Sequence, residues 1–152
     1  MGCCESGDIA RWTTLPYPYG PDEFQGFLEL SAQGWGTRTA GHYLVVDHEN
    51  TVLGAVGTTV DWGTETAEIG YWLCEKARGN GIATIAAGVI CDWLIEVGFA
   101  KLEAKVLVGN QGSGAVLSRL GLEPEGVRRS AYVGGAEVRP ERADVQLWGR
   151  VV

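Results

Sequence analysis

Basic residues are scarce in this chain. Twelve lysines and arginines stand against nineteen aspartates and glutamates, a formal charge of −7 over 152 residues. A surface so acidic repels a phosphate backbone, and no basic stripe reverses the field locally, so nucleic acid is not an expected partner. The same field favours a cationic ligand, and an amine is one. Histidine is rarer still, with only His42 and His48, and the four cysteines (Cys3, Cys4, Cys74, Cys91) show no C-x-x-C spacing. No metal site is therefore expected, and free thiols in a reducing cytoplasm are the simplest reading. No Gly-Lys step occurs anywhere, which excludes a Walker loop. The longest uncharged stretch in a helical segment, Gly79 to Cys91, is interrupted by Asn80 and Thr84. It falls short of the ~20 apolar residues of a membrane span, so no membrane partner is expected and the localisation reads as cytoplasmic. Met1-Gly2-Cys3-Cys4-Glu5-Ser6 fits the loose myristoylation pattern M-G-x-x-x-[ST], but no basic residues follow to reinforce an anchor, and an unmodified N-terminus is the expectation.

What is present suits one folded domain over residues 1–152. The hydrophobic share of 45% is that of a globular protein, and a chain of this length buries roughly two-thirds of its unfolded surface without a metal or disulfide staple. Residues 12–21 hold three of the five prolines and read as a loop. Pro21 then opens a helix with Asp22 and Glu23 at its positive end, one apolar face from Phe24, Phe27 and Leu28, and Gly34 as its stop. Runs His42–Val46 and Val52–Asp61 flank a polar turn and predict an antiparallel hairpin, followed by a third strand, Ala67–Cys74. From Gly81 to Val97 apolar residues recur at helical spacing, and Gly98 lies just past the end. Lys101–Val108 alternates as a strand, Gly112–Leu120 is a short helix, and two more strands are expected near Arg128–Val133 and Asp144–Val151, around a Gly134-Gly135 turn. Strands that first meander and then alternate with helices imply a mixed α/β sheet with at least one β-α-β crossover.

The chemically loaded segment is Arg78-Gly79-Asn80-Gly81-Ile82-Ala83, between the third strand and the long helix. Glycines let the backbone approach a ligand, and a helix N-terminus points unsatisfied N–H groups and a partial positive charge at the same place, which together make a diphosphate cradle. A dinucleotide fingerprint would require Gly or Ala where Thr84 stands, and the acidic residue about 20 positions on, Glu103, sits early in its strand.

The pattern R-x-x-G-x-A matches the acetyl-coenzyme A signature of the GNAT N-acetyltransferases, and its neighbours extend the match. Ala67-Glu68-Ile69-Gly70-Tyr71-Trp72-Leu73 resembles the strand that precedes the signature in ribosomal-protein-alanine N-acetyltransferases of the RimJ/RimL type. Asn110-Gln111-Gly112-Ser113, Val116–Leu122, Glu125-Gly126, Arg128-Arg129 and Asp144–Trp148 resemble the later segments of the same family, and Arg11–Tyr19 its loop before the second helix. The resemblance covers about residues 9 to 150. It implies the GNAT fold, a mostly antiparallel mixed sheet flanked by helices, whose splayed central strands hold coenzyme A. The edge strand and most of the first helix that the family usually carries have no counterpart, so the domain reads as N-terminally short.

The resemblance also implies roles. Leu73 is placed where the backbone pairs with the pantetheine arm, as an added strand would. Backbone N–H groups of Arg78, Gly79, Asn80, Gly81, Ile82 and Ala83 would hold the pyrophosphate, with Arg78 and nearby Lys76 meeting the remaining charge. Glu68, on the strand facing the thioester, is the candidate proton acceptor, and its competing reading is a strand residue paired with a neighbour. Where many relatives have a tyrosine general acid this chain has Leu117, so Ser113 becomes the hydroxyl near the sulfur, unless it only caps the helix that begins there. Asn110 contacts the cofactor or fixes its turn; His42 and His48 read as solvated surface, and Cys74 as a buried small hydrophobe. Acetyl-CoA is the implied co-substrate, with no metal.

The acceptor implied is a primary amine. A protein or peptide N-terminal α-amine leads, because it sheds its proton more readily than lysine does. A polyamine or antibiotic amine is the alternative, and a non-catalytic acetyl-CoA-binding remnant is the reading from another class. The missing edge would leave His42–Val46 with unpaired backbone groups and no charge before Asp47. Either a second copy of the chain, giving a homodimer, or residues 1–20 folded back is expected to cover it.

Overall fold

The computed structural model describes residues 7–133, Val138 and 142–152; the Met1–Ser6 motif and the Gly134-Gly135 turn lie outside them. The elements run α1 (Gly7–Trp12), α2 (Pro21–Thr37), β1 (Ala40–Val46), β2 (Val52–Asp61), β3 (Thr66–Leu73), a 3-10 turn (Glu75–Ala77), α3 (Ile82–Val97), β4 (Lys101–Leu107), α4 (Gln111–Arg119), β5 (Glu123–Val133) and β6 (Arg142–Val151). They form the expected α/β fold, with a six-stranded sheet in the order β1-β2-β3-β4-β6-β5. Every neighbouring pair is antiparallel except β3 and β4, which α3 connects as a crossover.

The apolar repeat of α3 buries Ala87, Cys91 and Leu94 on one face of the sheet, against Ala67 and Ile69 of β3, Leu102 and Ala104 of β4, and Leu117 of α4. Side chains alternate across a strand. Ile69 and Tyr71 therefore face α3 and α4, while Glu68, Gly70 and Trp72 face the other way, toward α2. The parallel pairing of β3 with β4 is short. It runs through Thr66–Lys101, Ala67–Leu102 and Glu68–Glu103 and stops there, although β3 continues to Leu73 and β4 to Leu107. Beyond Glu68 the strands splay apart and open a cleft between the two faces.

Three local expectations are corrected. Gly34 does not stop α2, which runs on to Thr37 and ends at Arg38 in a left-handed conformation (φ 57°). A side chain at Gly34 would come within 2.7 Å of the Ala40 Cβ, so this glycine serves the close approach of α2 to β1. β5 starts at Glu123, not Arg128, because Glu123 and Pro124 pair with Gly149 and Trp148 on an edge strand, where proline is tolerated. Among the cysteines, Cys91 is a buried free thiol but Cys74 is disulfide-bonded, which corrects the reading of Cys74 as a free thiol.

Among the described residues β1 is the outermost strand and pairs only with β2, which puts it at the sheet edge that the sequence indicated. Of residues 7–20, Asp8 meets Arg78 and the Thr13 carbonyl accepts from the Tyr132 hydroxyl, both away from β1.

Candidate active site

The glycine loop follows β3 through the short 3-10 turn and delivers α3 beside the open end of the splay. Gly79 (φ 81°) and Gly81 (φ 75°) adopt left-handed backbone, and no atom lies within 4 Å of the place where a Cβ would stand on either. These positions call for glycine because of backbone conformation, and they leave room above the loop. The first intrahelical bond of α3 runs from the Ile85 amide to the Gly81 carbonyl, so the amides of Ile82, Ala83 and Thr84 have no partner within the helix. The Thr84 hydroxyl in the same turn is buried without a hydrogen bond. Arg78 is tied locally: its Nε donates to the Leu73 carbonyl (3.1 Å) and its guanidinium pairs with Asp8 (2.5 Å). The Asn80 amide donates to the Arg78 carbonyl (3.3 Å).

The splay forms a cleft of about 540 Å³. Glu68, Asn110 and Ser113 line it together, whereas Leu73 and residues 78–83 are not among its lining. Asn110 caps α4, its Oδ1 accepting from the Ser113 amide (3.1 Å), so the capping role considered for Ser113 belongs to Asn110. Ser113 sits in the first turn and lines the cleft, and its carbonyl accepts from the Tyr71 hydroxyl (3.1 Å). Burial holds the Tyr71 phenol well above its ordinary pKa, which keeps a protonated donor beside Ser113. Leu117 forms a fully buried wall.

On the α2 side of the sheet the cleft holds charge. Glu68 accepts from the Lys105 ammonium at 2.6 Å, half-exposed, so the pairing considered for Glu68 is real and is made inside the cleft. Arg128 and Tyr132 of β5 and Thr13 and Leu15 of the preceding loop complete this side. His42 is here too, which corrects its reading as solvated surface. Its Nδ1 lies 2.7 Å from the Ser31 hydroxyl, the Phe27 ring meets it edge-on at 4.9 Å, and its Cδ2 stands over Gly57. Burial lowers the His42 pKa below the ordinary imidazole value. His48, on the hairpin turn, is exposed as expected.

Tyr71 and His42 are among the cleft residues that sequence reasoning passed over. Tyr71 stands inside the strand motif itself, two residues after the core residue Ile69. For His42 the sequence carried no such signal, because a bulge between Val45 and Val46 shifts the hairpin register and sets it opposite Gly57.

A cleft opened by two splayed parallel strands beside a glycine-rich helix start is the architecture that the motifs implied. A family model described as an acetyltransferase (GNAT) domain matches residues 3–123. The chain belongs to the GNAT acetyltransferase family. Within it, the chain is 39% identical over 137 residues to YdaF of Bacillus subtilis (strain 168), a protein named as a ribosomal N-acetyltransferase; the match covers 84% of this chain and 72% of YdaF. The GNAT fold is shared with RimL, a ribosomal L7/L12 alpha-N-protein acetyltransferase solved with coenzyme A, at a TM-score of 0.87 and 22% identity, covering 98% of this chain and 83% of that one. It is shared also with the microcin C7 self-immunity acetyltransferase MccE, solved with acetyl-CoA and AMP, at a TM-score of 0.82 and 23% identity, covering 95% and 77%. At those identities the two structures speak for the fold alone. No helix among the described residues is long and apolar enough to cross a membrane, and no group of three metal-ligating side chains occurs among them.

Proposed function

We propose that this chain is an acetyl-CoA-dependent N-acetyltransferase, one domain over residues 1–152, that acetylates the N-terminal α-amine of a protein or peptide in the cytoplasm. The observation that carries the reading is the splay of β3 from β4 directly beside the Arg78–Ala83 loop. It gives one route between a phosphate-binding helix start and a cleft holding a carboxylate, a phenol and a serine. The residues present fit acetyl-CoA. Among the described residues three helix-start amides and the buried Thr84 hydroxyl have no partner, and none of these residues fills the space above Gly79 and Gly81. In this reading amides 79–83 hold the pyrophosphate, Leu73 offers its backbone to the arm, and Arg78 braces the loop through Leu73 and Asp8. Bound there, acetyl-CoA supplies a thioester carbonyl for the amine to attack.

The remaining chemistry belongs to the protein. An ammonium acceptor sheds two protons on its way to an amide, and the leaving thiolate takes one up. Glu68 is the acceptor of the proton lost as the carbon–nitrogen bond forms, directly or through water, with Lys105 holding its carboxylate in place. Ser113 and Tyr71, joined by a hydrogen bond, stand on the thiolate side, and Asn110 orients them by capping α4. The acceptor class follows the names of YdaF and RimL, and the negative net charge suits it. A small-molecule amine is the second reading, which the negative net charge suits equally. Release of coenzyme A thiol tests both. Peptides with a free N-terminal Ser or Ala should turn over faster than spermidine. Stabilisation by acetyl-CoA without thiol release from any amine would leave only a non-catalytic binder.

A further inference from the structure

One row of the cleft lies open beside Glu68. Three residues in register across the sheet, His42 of β1, Gly57 of β2 and Gly70 of β3, face α2 on one row. Adjacent strands lie about 4.8 Å apart, so a full-sized side chain at either glycine would fill the row between His42 and β3. At Gly57 the imidazole occupies that space, its Cδ2 3.2 Å and its Nε2 3.7 Å from where a Cβ would stand. At Gly70 nothing lies within 4 Å of that place, and the residue lines the cleft. Glu68 is two residues back on the same face of β3, at the point where β4 leaves. A small void thus opens over Gly70, with an imidazole on one side and a carboxylate on the other.

We propose that the acceptor nitrogen seats above Gly70 and that His42, through Nε2, takes the first proton from the incoming ammonium, leaving the second to Glu68. The inference rests on the acetyltransferase reading and names the acceptor subsite within it. The imidazole is held for that work. Nδ1 is bonded to Ser31, Phe27 packs against the ring, and Nε2 has no hydrogen bond to any described residue. The titratable and charged groups that share the cleft are Glu68, Lys105, Arg128, Tyr71 and Tyr132, while α2 presents Phe27 and Ser31 to the ring. Burial keeps the imidazole unprotonated through neutral pH, ready to accept. The proton account closes: one proton passes from R–NH3+ to His42 and on to water, the second leaves nitrogen for Glu68 as the C–N bond forms and the C–S bond breaks, and the thiolate gains one. Net, one proton is released.

This division predicts a pH signature. An α-amine has a pKa near 8, so free amine is about a tenth of the total at pH 7 and predominates at pH 9. A group that only removes the first proton is needed at pH 7 and dispensable at pH 9. With a hexapeptide bearing a free N-terminal Ser and saturating acetyl-CoA, His42→Ala should lower kcat/KM up to about tenfold at pH 7 and come within about twofold of wild type at pH 9. Glu68→Gln should show the same loss at both pH values. No loss for His42→Ala at pH 7, or an equal loss at pH 7 and 9, overturns the assignment, because a merely structural role would not follow the ionisation of the substrate. Gly70→Val, whose side chain enters open space on a strand, should raise peptide KM at least about tenfold and keep the acetyl-CoA thermal shift. An unchanged KM, or loss of the cofactor shift, overturns the seat. Wild-type protein that releases no thiol with Ser- and Ala-peptides or spermidine at either pH would overturn the enzyme reading as well. Activity in the wild type with unaltered variants overturns the subsite alone.

Discussion

On the α3 side of the cleft the candidate groups come from few and short pieces of chain. Leu73 through Thr84 form one continuous run, and Tyr71, Asn110 and Ser113 add the end of one strand and the start of one helix. On the α2 side the groups come from six elements: Phe27 and Ser31 from α2, His42 from β1, Gly57 from β2, Glu68 and Gly70 from β3, Lys105 from β4, and Arg128 and Tyr132 from β5. The first construction is local, held by backbone conformation and a helix start. The second exists only once the sheet has assembled. A phosphate-bearing co-substrate common to a family suits the local design, since backbone amides hold it whatever side chains surround them. An acceptor that differs from one family member to the next suits the assembled design, where single substitutions on separate strands reshape the seat.

Damage to one side should leave the other intact. Gly81→Glu should abolish the thermal stabilisation by acetyl-CoA, because a side chain at φ 75° is strained and its carboxylate would face the helix N-terminus. A folded variant with an undiminished shift would remove the loop from the cofactor site. Next in size, Glu68→Gln should cut kcat by about 10²–10⁴ while sparing acetyl-CoA affinity, the usual range for general acid–base work. A loss below about threefold, with chemistry limiting, would reduce Glu68 to a partner of Lys105. Tyr71→Phe should lower kcat about tenfold and leave peptide KM unchanged, a smaller effect because a thiolate departs with little help. If KM moved instead, Tyr71 would belong to the acceptor side. Asn110→Ala should cost about 1 kcal/mol of stability by uncapping α4, measured by denaturant unfolding, and turnover should fall only as far as Ser113 loses its position. Smallest is an effect outside the cleft. Leu44 and Val46 are 65% and 45% exposed on the open edge of β1, so pairing with a second copy should make the melting temperature rise with protein concentration. A concentration-independent melt would leave the chain a monomer.

Features that rest on neighbouring residues were legible in the chain. The Arg78–Ala83 loop, the apolar repeat of α3 and the strand Ala67–Leu73 each carry their signal within about a dozen positions, because helix starts, turns and strand alternation are short-range physics. That suffices for the family and the fold class. The α2 side of the cleft came together only with the assembled sheet. A bulge between Val45 and Val46 shifts the β1–β2 register by one residue and sets His42 opposite Gly57, and in a sheet such a slip moves a side chain to the other face. The Glu68–Lys105 and Tyr132–Thr13 contacts join residues 37 and 119 positions apart, and Arg78 meets Asp8 across 70. No local pattern encodes such pairs. The same limit misplaced His42, since a lone histidine on a short strand looks solvated until α2 brings Phe27 and Ser31 onto it. Where the groups of a site arrive on separate strands, only the packing of those strands says that there is a site.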